Sequence, residues 1–436
     1  MLNFAKKIWP YNRSLTGKGN EQTLKDIKKF IGNLKIHSIK SGSKVYDWTI
    51  PLEWEIKDAY IKDPDKKKIV DFKKNNLHVV SYSKNIKKII SLENLKKNIF
   101  YLKKIPQAIP YVTNYYEKKW GFCVSYNQFK NLKKGNYEIK IESKFKKGKL
   151  IYGEYYKKGK TKKEILFSTN ICHPSLANNE LSGIIVCSAL AKWIKKKKFR
   201  FSYRFLFLPE TIGALAYIKK NINNLKSNVI GGYNVVCVGD ERTFSFLPSR
   251  NGNTLSDNIG IKILKENKKK FKRYNWLDRG SDERQYCSPG IDLPIASIMR
   301  SKYGEYKEYH NSLDKIGTVV TKKGLNESLK IYKKVILEFE KNFDQINKNF
   351  IPKNLILGEP FLKKRGLNSK VIKGDMIPSK TFSKKLYYQS YNKIIIDIFS
   401  LCDGKNSVVD ISKKIKIDFQ TTLDLINSLK KEKILK

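Results

Sequence analysis

Hydrophobic positions along this chain change their period several times, and each change marks an element. Near the start, Leu24, Ile27 and Ile31 fall at helical spacing behind a turn at 17–20, so WPYNRSLTGKGNEQTLKDIKKFI predicts a loop and then a helix. From Val45 to about Tyr126 apolar and polar residues alternate, interrupted by Pro and Asn, which is the texture of a small β-rich unit. After Gly135 the alternation gives way to continuous apolar runs. Residues 164–171, 205–208, 233–238 and 293–299 predict buried strands, and 181–194, 212–225 and 322–343 predict helices between and after them. Strands alternating with helices imply an α/β fold with a mostly parallel sheet flanked by helices.

The pattern lapses over 347–380, where Pro352, Pro360 and Pro378 with several glycines read as a linker. A helical tail follows at 381–436. Residues 393–401 are apolar, Asp403–Gly404 turns the chain, and Val408, Ile411 and Ile415 mark a short helix. Asp418 is placed to cap a last helix carrying Phe419, Leu423, Ile426 and Leu429. Two short helices in tandem resemble helix-turn-helix packing. The expected division is therefore a discontinuous α/β domain (1–44 and 127–346), an inserted β-rich domain (45–126), the linker and the tail.

Composition narrows the function classes. Hydrophobic residues make up 40% of the 436 positions, enough to build cores and to exclude a disordered chain. Lys and Arg outnumber Asp and Glu by 89 to 40, a net charge of +49. The lysines run along the whole chain beside many Asn and Ile, so they read as a compositional bias and not as a dedicated binding arm. Nucleic acid is then expected as a partner only through charge, without sequence specificity. No stretch approaches the ~18 apolar residues of a membrane span. The six cysteines form no CxxC pair and no secretory segment precedes them, which points to reduced thiols and a cytoplasmic location.

The four histidines can be weighed singly. His37 and His78 lie in lysine-rich, weakly patterned stretches and read as surface or structural. His173 directly follows a predicted buried strand. Glu210 closes the run FLFLPE and Asp240 closes YNVVCVGD, so three strands are expected to deliver His, Glu and Asp to one sheet edge, where ligands gather in open α/β sheets. His310 follows the strand at 293–299 and its loop. Imidazole and carboxylate are what catalytic zinc takes, and a carboxylate not spent on the metal is needed to accept a proton from water.

The ordered motifs HPSLANNELSG, PETIGALAYI, GDERTFSFLPSRNGNTLSD, GSDERQYCSPGIDLP and YGEYKEYHNSLD resemble those of an aminopeptidase-like family related to the M28 zinc peptidases, of the DUF4910 type. Its members have an inserted β-rich domain of the DUF2172 type and a C-terminal winged helix, often in polysaccharide-biosynthesis settings. The resemblance implies His173, Asp240 and His310 as metal ligands and Glu210 as general base. Asn179 stands where a bridging Asp is expected, and Thr211 where a second Glu would bind another metal. One zinc per chain is therefore expected, with Asn179 and the neighbouring Glu180 as outer or alternative ligands. Asp282, Glu283, Arg284 and Arg250 are candidates to hold substrate, and Arg13 a further one. A zinc-dependent hydrolase acting on a peptide or small amide with a free amino terminus is implied. The alternatives are a regulatory binding protein on a peptidase fold, or an amide hydrolase of polysaccharide or amino-sugar metabolism.

Overall fold

The run Glu164–Asn170 is buried at every position, which a strand tolerates only when both faces of its sheet are covered. In the computed structural model, which describes residues 1–267, 270–353, 360, 362–367, 370–372, 375–377 and 388–436, it lies at the centre of an eight-stranded sheet. The elements used below are, in chain order, α1 (Lys18–Ile31), β1 (Lys35–Lys40), β2 (Glu53–Lys62), β3 (Lys68–Asp71), β4 (Ile86–Ser91), β5 (Asn136–Lys146), β6 (Lys149–Lys157), β7 (Glu164–Asn170), α2 (Ser182–Lys195), β8 (Ser202–Leu208), α3 (Ile212–Asn228), β9 (Val229–Asn234), β10 (Phe244–Leu247), β11 (Phe271–Arg273), β12 (Ile295–Met299) and α4 (Lys322–Lys341). The large sheet runs β1-β6-β8-β7-β9-β12-β10-β11, with β8, β7, β9 and β12 mutually parallel. The edges add antiparallel pairs, so the expected mostly parallel sheet holds at the centre and not at the margins.

Side chains on these strands alternate between two cores. Leu166, Leu206, Leu208 and Ile295 pack with Leu215 and Ile218 of α3. Phe167, Phe205 and Tyr233 stack toward the other face, where Tyr332 of α4 meets Phe167 edge-on and donates its hydroxyl to the Ile298 carbonyl at 2.6 Å. Gly183 lets α2 seat close to the sheet: a Cβ there would fall 2.1 Å from the Val235 carbonyl oxygen.

The β-rich segment forms its own antiparallel sheet, β3-β2-β5-β4. Its longest strand, β5, lies beyond residue 126, where the alternating texture was expected to stop. Tyr137, Ile139 and Ile141 of β5 are fully buried against Ala59 and Ile61 of β2.

Contacts divide the chain into two units, Met1–Arg250 with Ile263–Lys334, and Asn251–Lys262 with Val335–Lys436. Within the second, three helices follow one another, α5 (Tyr388–Leu401), α6 (Val408–Ile415) and α7 (Phe419–Lys431). Asp418 caps α7 as its position predicted, accepting from Thr421 N at 2.9 Å, and Ser407 forms a capping box with Asp410 at the start of α6. A short antiparallel pair, Lys370–Ile372 with Asp375–Ile377, lies within the segment expected to be a linker. Much of the expected linker, Pro378 included, and the start of the expected tail domain at 381–387 lie outside the described residues. Among the described residues no helix is long and apolar enough to cross a membrane.

Candidate active site

Four parallel strands ending on one edge should gather their following residues, and three of them do so. β7 ends at Asn170 and the chain continues into Cys172 and His173, both buried. The following Ala177–Leu181 turn is a π-type turn in which Asn179 leaves helical geometry (φ −104°, ψ 78°), a local irregularity of the kind found at functional sites. The turn swings Glu180 back under His173. Its Oε2 accepts N–H bonds from Cys172, from His173 (2.7 Å) and from His173 Nδ1 (2.9 Å), while Oε1 accepts from Arg13 Nε at 3.0 Å. The Arg13 and Glu180 side chains are wholly buried. Burial favours neutral His173, but the Glu180 carboxylate outweighs it and holds the ring above the ordinary histidine range. Nδ1 thus carries a proton given to Glu180, and Nε2 is left for another partner, the arrangement by which carboxylates orient metal-binding histidines.

β8 ends at Leu208 and is followed by Glu210. Its Oε2 lies 3.8 Å from His173 Nε2, and its Oε1 accepts the Ser281 hydroxyl at 2.7 Å. Thr211, the residue that replaces an expected carboxylate, adopts φ 63°, a strained conformation for a β-branched residue. Its N–H is held by Asp282 Oδ1 at 2.7 Å and its hydroxyl by Arg284 at 2.9 Å.

His310 also has a left-handed backbone, φ 53°. Tyr309 stacks on it at 3.9 Å, and Tyr111 stands at 5.2 Å from both His310 and His173. Tyr111 belongs to the β-rich insertion. Its N–H donates to the His310 carbonyl at 2.8 Å, and Ser312 N–H donates to the Ile109 carbonyl at 2.8 Å, so insertion and sheet edge are laced together at the site. The two imidazole centroids are 5.3 Å apart. Burial, with the neighbouring His173, pushes the His310 pKa down to about 3, so the ring is neutral at physiological pH. Its buried Nε2 has no hydrogen-bond partner.

Asp240 is the exception. β9 stops at Asn234, earlier than the run YNVVCV predicted, and the chain bends at Cys237 (φ 53°). Cys237 Sγ, not Asp240, then faces Asn179, 3.7 Å from its Oδ1. Asp240 Oδ1 accepts Arg242 N (2.8 Å) and the Ser301 hydroxyl (3.2 Å), and Oδ2 accepts Asn178 Nδ2 (2.9 Å) and Ser301 N (3.0 Å). Both oxygens tie loops together.

The substrate-holding candidates separate as clearly. Glu283 is fully buried and accepts from Gly280 N, Ser281 N, the Tyr303 hydroxyl and Asn234 Nδ2, which makes it a brace for the loop and not a pocket residue. Asp282 is fully buried with Oδ2 unpartnered, and burial and Glu210 push its carboxyl well above the usual range. Arg284 is exposed beside Thr211. Arg250 pairs with Asp292 at the surface, the two side chains 42% and 46% exposed. Arg250→Ala should therefore change stability by less than about 1 kcal/mol and leave any activity intact; a tenfold loss of activity would return Arg250 to the pocket.

Sequence reasoning missed Tyr111, Ser281, Asn178 and Asp314. Asp314 accepts the N–H groups of Asn178 (2.7 Å) and Asn179 (3.0 Å), and burial raises its pKa to about 7. Asn178, Ser281 and Asp314 sat inside quoted motifs, whereas nothing in the sequence marked Tyr111.

Among the described residues one group of His, Cys, Asp or Glu donors lies mutually within 4.8 Å: Cys172, His173 and Glu180. Its Glu180 is already saturated by N–H donors, so this knot orients His173 and is not itself a coordination sphere. The orphaned Nε2 of neutral His310 and the free Nε2 of His173 do fit one divalent ion of borderline softness, with Glu210 beside them.

Comparison with known proteins places this geometry. A family model described as a domain of unknown function, DUF4910, matches residues 2–342, and a winged helix-turn-helix model matches 350–436. A Clostridium acetobutylicum protein is 39% identical over 439 residues, covering 100% of this chain and 96% of the relative; it is described as a candidate polysaccharide biosynthesis protein with an aminopeptidase-like domain. The crystal structure of a candidate peptidase of C. acetobutylicum is 37% identical and covers 100% of this chain and 95% of its own, with a TM-score of 0.77. A zinc aminopeptidase of Bacillus subtilis aligns over 77% of this chain and 94% of its own at TM-score 0.55 and 11% identity, a likeness of fold alone. The resemblance to M28 aminopeptidases thus holds as fold, and the chain belongs to the DUF4910 family, with a C-terminal winged-helix domain.

Proposed function

We propose that this chain is a metal-dependent hydrolase of an amide bond at a free amino terminus, or of a related small amide, using one zinc ion. The observation that carries the reading is the pair of imidazole nitrogens, His173 Nε2 fixed by Glu180 and His310 Nε2 buried without a partner. These two residues would hold the ion. A bound zinc would polarise the amide carbonyl and acidify a water. Glu210 takes the water's proton: the Ser281 hydroxyl occupies Oε1 and leaves Oε2 turned toward His173. The same carboxyl then returns the proton to the leaving amine. Asp282 Oδ2 is the acceptor for the substrate's amino group, since an arriving ammonium would favour its ionised form. The zinc aminopeptidase of B. subtilis supports the metal, and the name of the C. acetobutylicum relative supports an amide in polysaccharide or amino-sugar metabolism. All six cysteines are buried and none is in a disulfide, which supports a reducing, cytoplasmic compartment.

The test is elemental analysis of protein purified without chelator, paired with an amide-substrate panel. About one equivalent of divalent metal is expected. His173→Ala and His310→Ala should each lose it, and Asn179→Ala should change the content little. Two equivalents surviving dialysis would overturn the single-ion reading. No metal and no turnover would favour a regulatory binding protein on a peptidase fold.

A further inference from the structure

Asp240 also organises a second region of the surface. Its carboxylate draws together the backbone N–H groups of Arg242 and Ser301, and these residues line one cleft. The cleft encloses about 340 Å³ at the end of the central sheet that carries β10 and β11. Among the described residues its cations are Arg242, Lys272, Lys302 and Lys307, and its one lining acid is Glu305. Hydroxyls of Thr243, Ser245, Ser301, Tyr274 and Tyr306 complete the wall. Glu308 engages Arg242 Nη2 through both oxygens (3.0 and 3.1 Å), so two acids stand against four cations.

We propose that this cleft binds the phosphate group of an organic phosphomonoester. The arrangement favours phosphate over carboxylate. The one guanidinium that could fork onto a carboxylate already has Nη2 bound to Glu308. The hydroxyls of Thr243, Ser301, Tyr274 and Tyr306 already donate to the Lys270 carbonyl, Asp240, Glu305 and Asp314, so what remains are ammonium point charges, which suit a tetrahedral oxyanion. Lys302 is held in place for this, 3.6 Å from Glu305 and seated over the rings of Tyr274 and Tyr303 at 5.2 and 4.9 Å, with 11% of its side chain exposed. The volume exceeds a bare phosphate and matches the small end of ligand pockets, leaving room for a sugar-sized body. The wall also reaches toward the candidate active site: Tyr306 packs against Tyr309, which stacks on His310. The proposal concerns binding and stands whether or not the chain hydrolyses amides.

Calorimetric titration of the full chain at physiological salt, with inorganic phosphate, a hexose 1-phosphate and the neutral hexose, tests it. Saturable binding of the hexose 1-phosphate, weaker binding of phosphate and none of the hexose are expected. Because the whole chain is basic, the decisive comparison is between two variants of equal charge change. Lys272→Glu with Lys307→Glu should weaken hexose 1-phosphate binding about 10- to 100-fold, the loss of two charge-assisted contacts. Lys87→Glu with Lys88→Glu, on β4, should leave it within about twofold. Equal loss in both variants, or no saturable binding to the parent chain, overturns the proposal. Neither outcome bears on metal content or amide turnover, so failure here is distinguishable from failure of the hydrolase reading.

Discussion

Turnover by Glu210→Gln should fall about 10²- to 10⁴-fold while the metal content stays unchanged, because the residue handles a proton. Gln keeps the volume and can still meet the Ser281 hydroxyl through its amide oxygen, so the fold around Pro209–Thr211 is preserved. What is lost is the carboxylate that accepts the water's proton. Steady-state rates with the best substrate from the panel, measured beside metal analysis of the same sample, separate the two effects. A rate unchanged by the substitution would remove Glu210 from the chemistry. Simultaneous loss of metal would instead make it a ligand.

Glu180→Gln should lower the unfolding free energy by about 3–5 kcal/mol, the usual result of removing one partner of a wholly buried ion pair. Arg13 would keep a charge with no counter-ion, and its Nη2 is already without a hydrogen-bond partner. Adding Arg13→Met should recover part of the loss, since the uncompensated charge is then gone. Metal affinity should fall about 10- to 100-fold in Glu180→Gln as well, through weaker orientation of His173. Denaturant unfolding of the single and double variants gives the first result. A loss below about 1 kcal/mol would mean that the buried pair does not hold this corner of the fold together.

The central sheet was legible because β7 carries the apolar run Ile165–Phe167, β8 the run Phe205–Leu208, and β12 is apolar but for Ser297, a signal that needs no tertiary information. His173 after β7 and Glu210 after β8, the proposed metal ligand and general base, were legible for the same reason: each follows such a strand closely. Asp240 does not close its strand as expected because Val235–Val238 are as apolar as a strand yet bend at Cys237, and periodicity cannot see a backbone turn inside an apolar run. Glu180 was named as an alternative ligand, and its actual role depends on the π-type turn that points it inward, a conformation without a sequence signature of its own. Tyr111 escaped because its importance comes wholly from a contact with a distant segment. Arg250 and Glu283 show the converse, charged residues inside conserved-looking motif text that the fold spends on a surface pair and on a loop brace.

The lacing of Ile109–Tyr111 to His310–Ser312 has a consequence in time. Ile109 and Ser312 are 203 residues apart along the chain and joined by a 2.9 Å hydrogen bond. At synthesis rates of roughly 5–20 residues per second, the insertion waits about 10–40 s on the ribosome before its partner segment exists. His173 and Glu180 are neighbours in sequence and can meet early, but the second imidazole can join them only after the sheet has closed around both. Contacts of such long range form late and slow the folding of the units that depend on them. The histidine pair is thus among the last features of this unit to assemble, and a chain stopped short of residue 310 would hold an oriented His173 without its second imidazole.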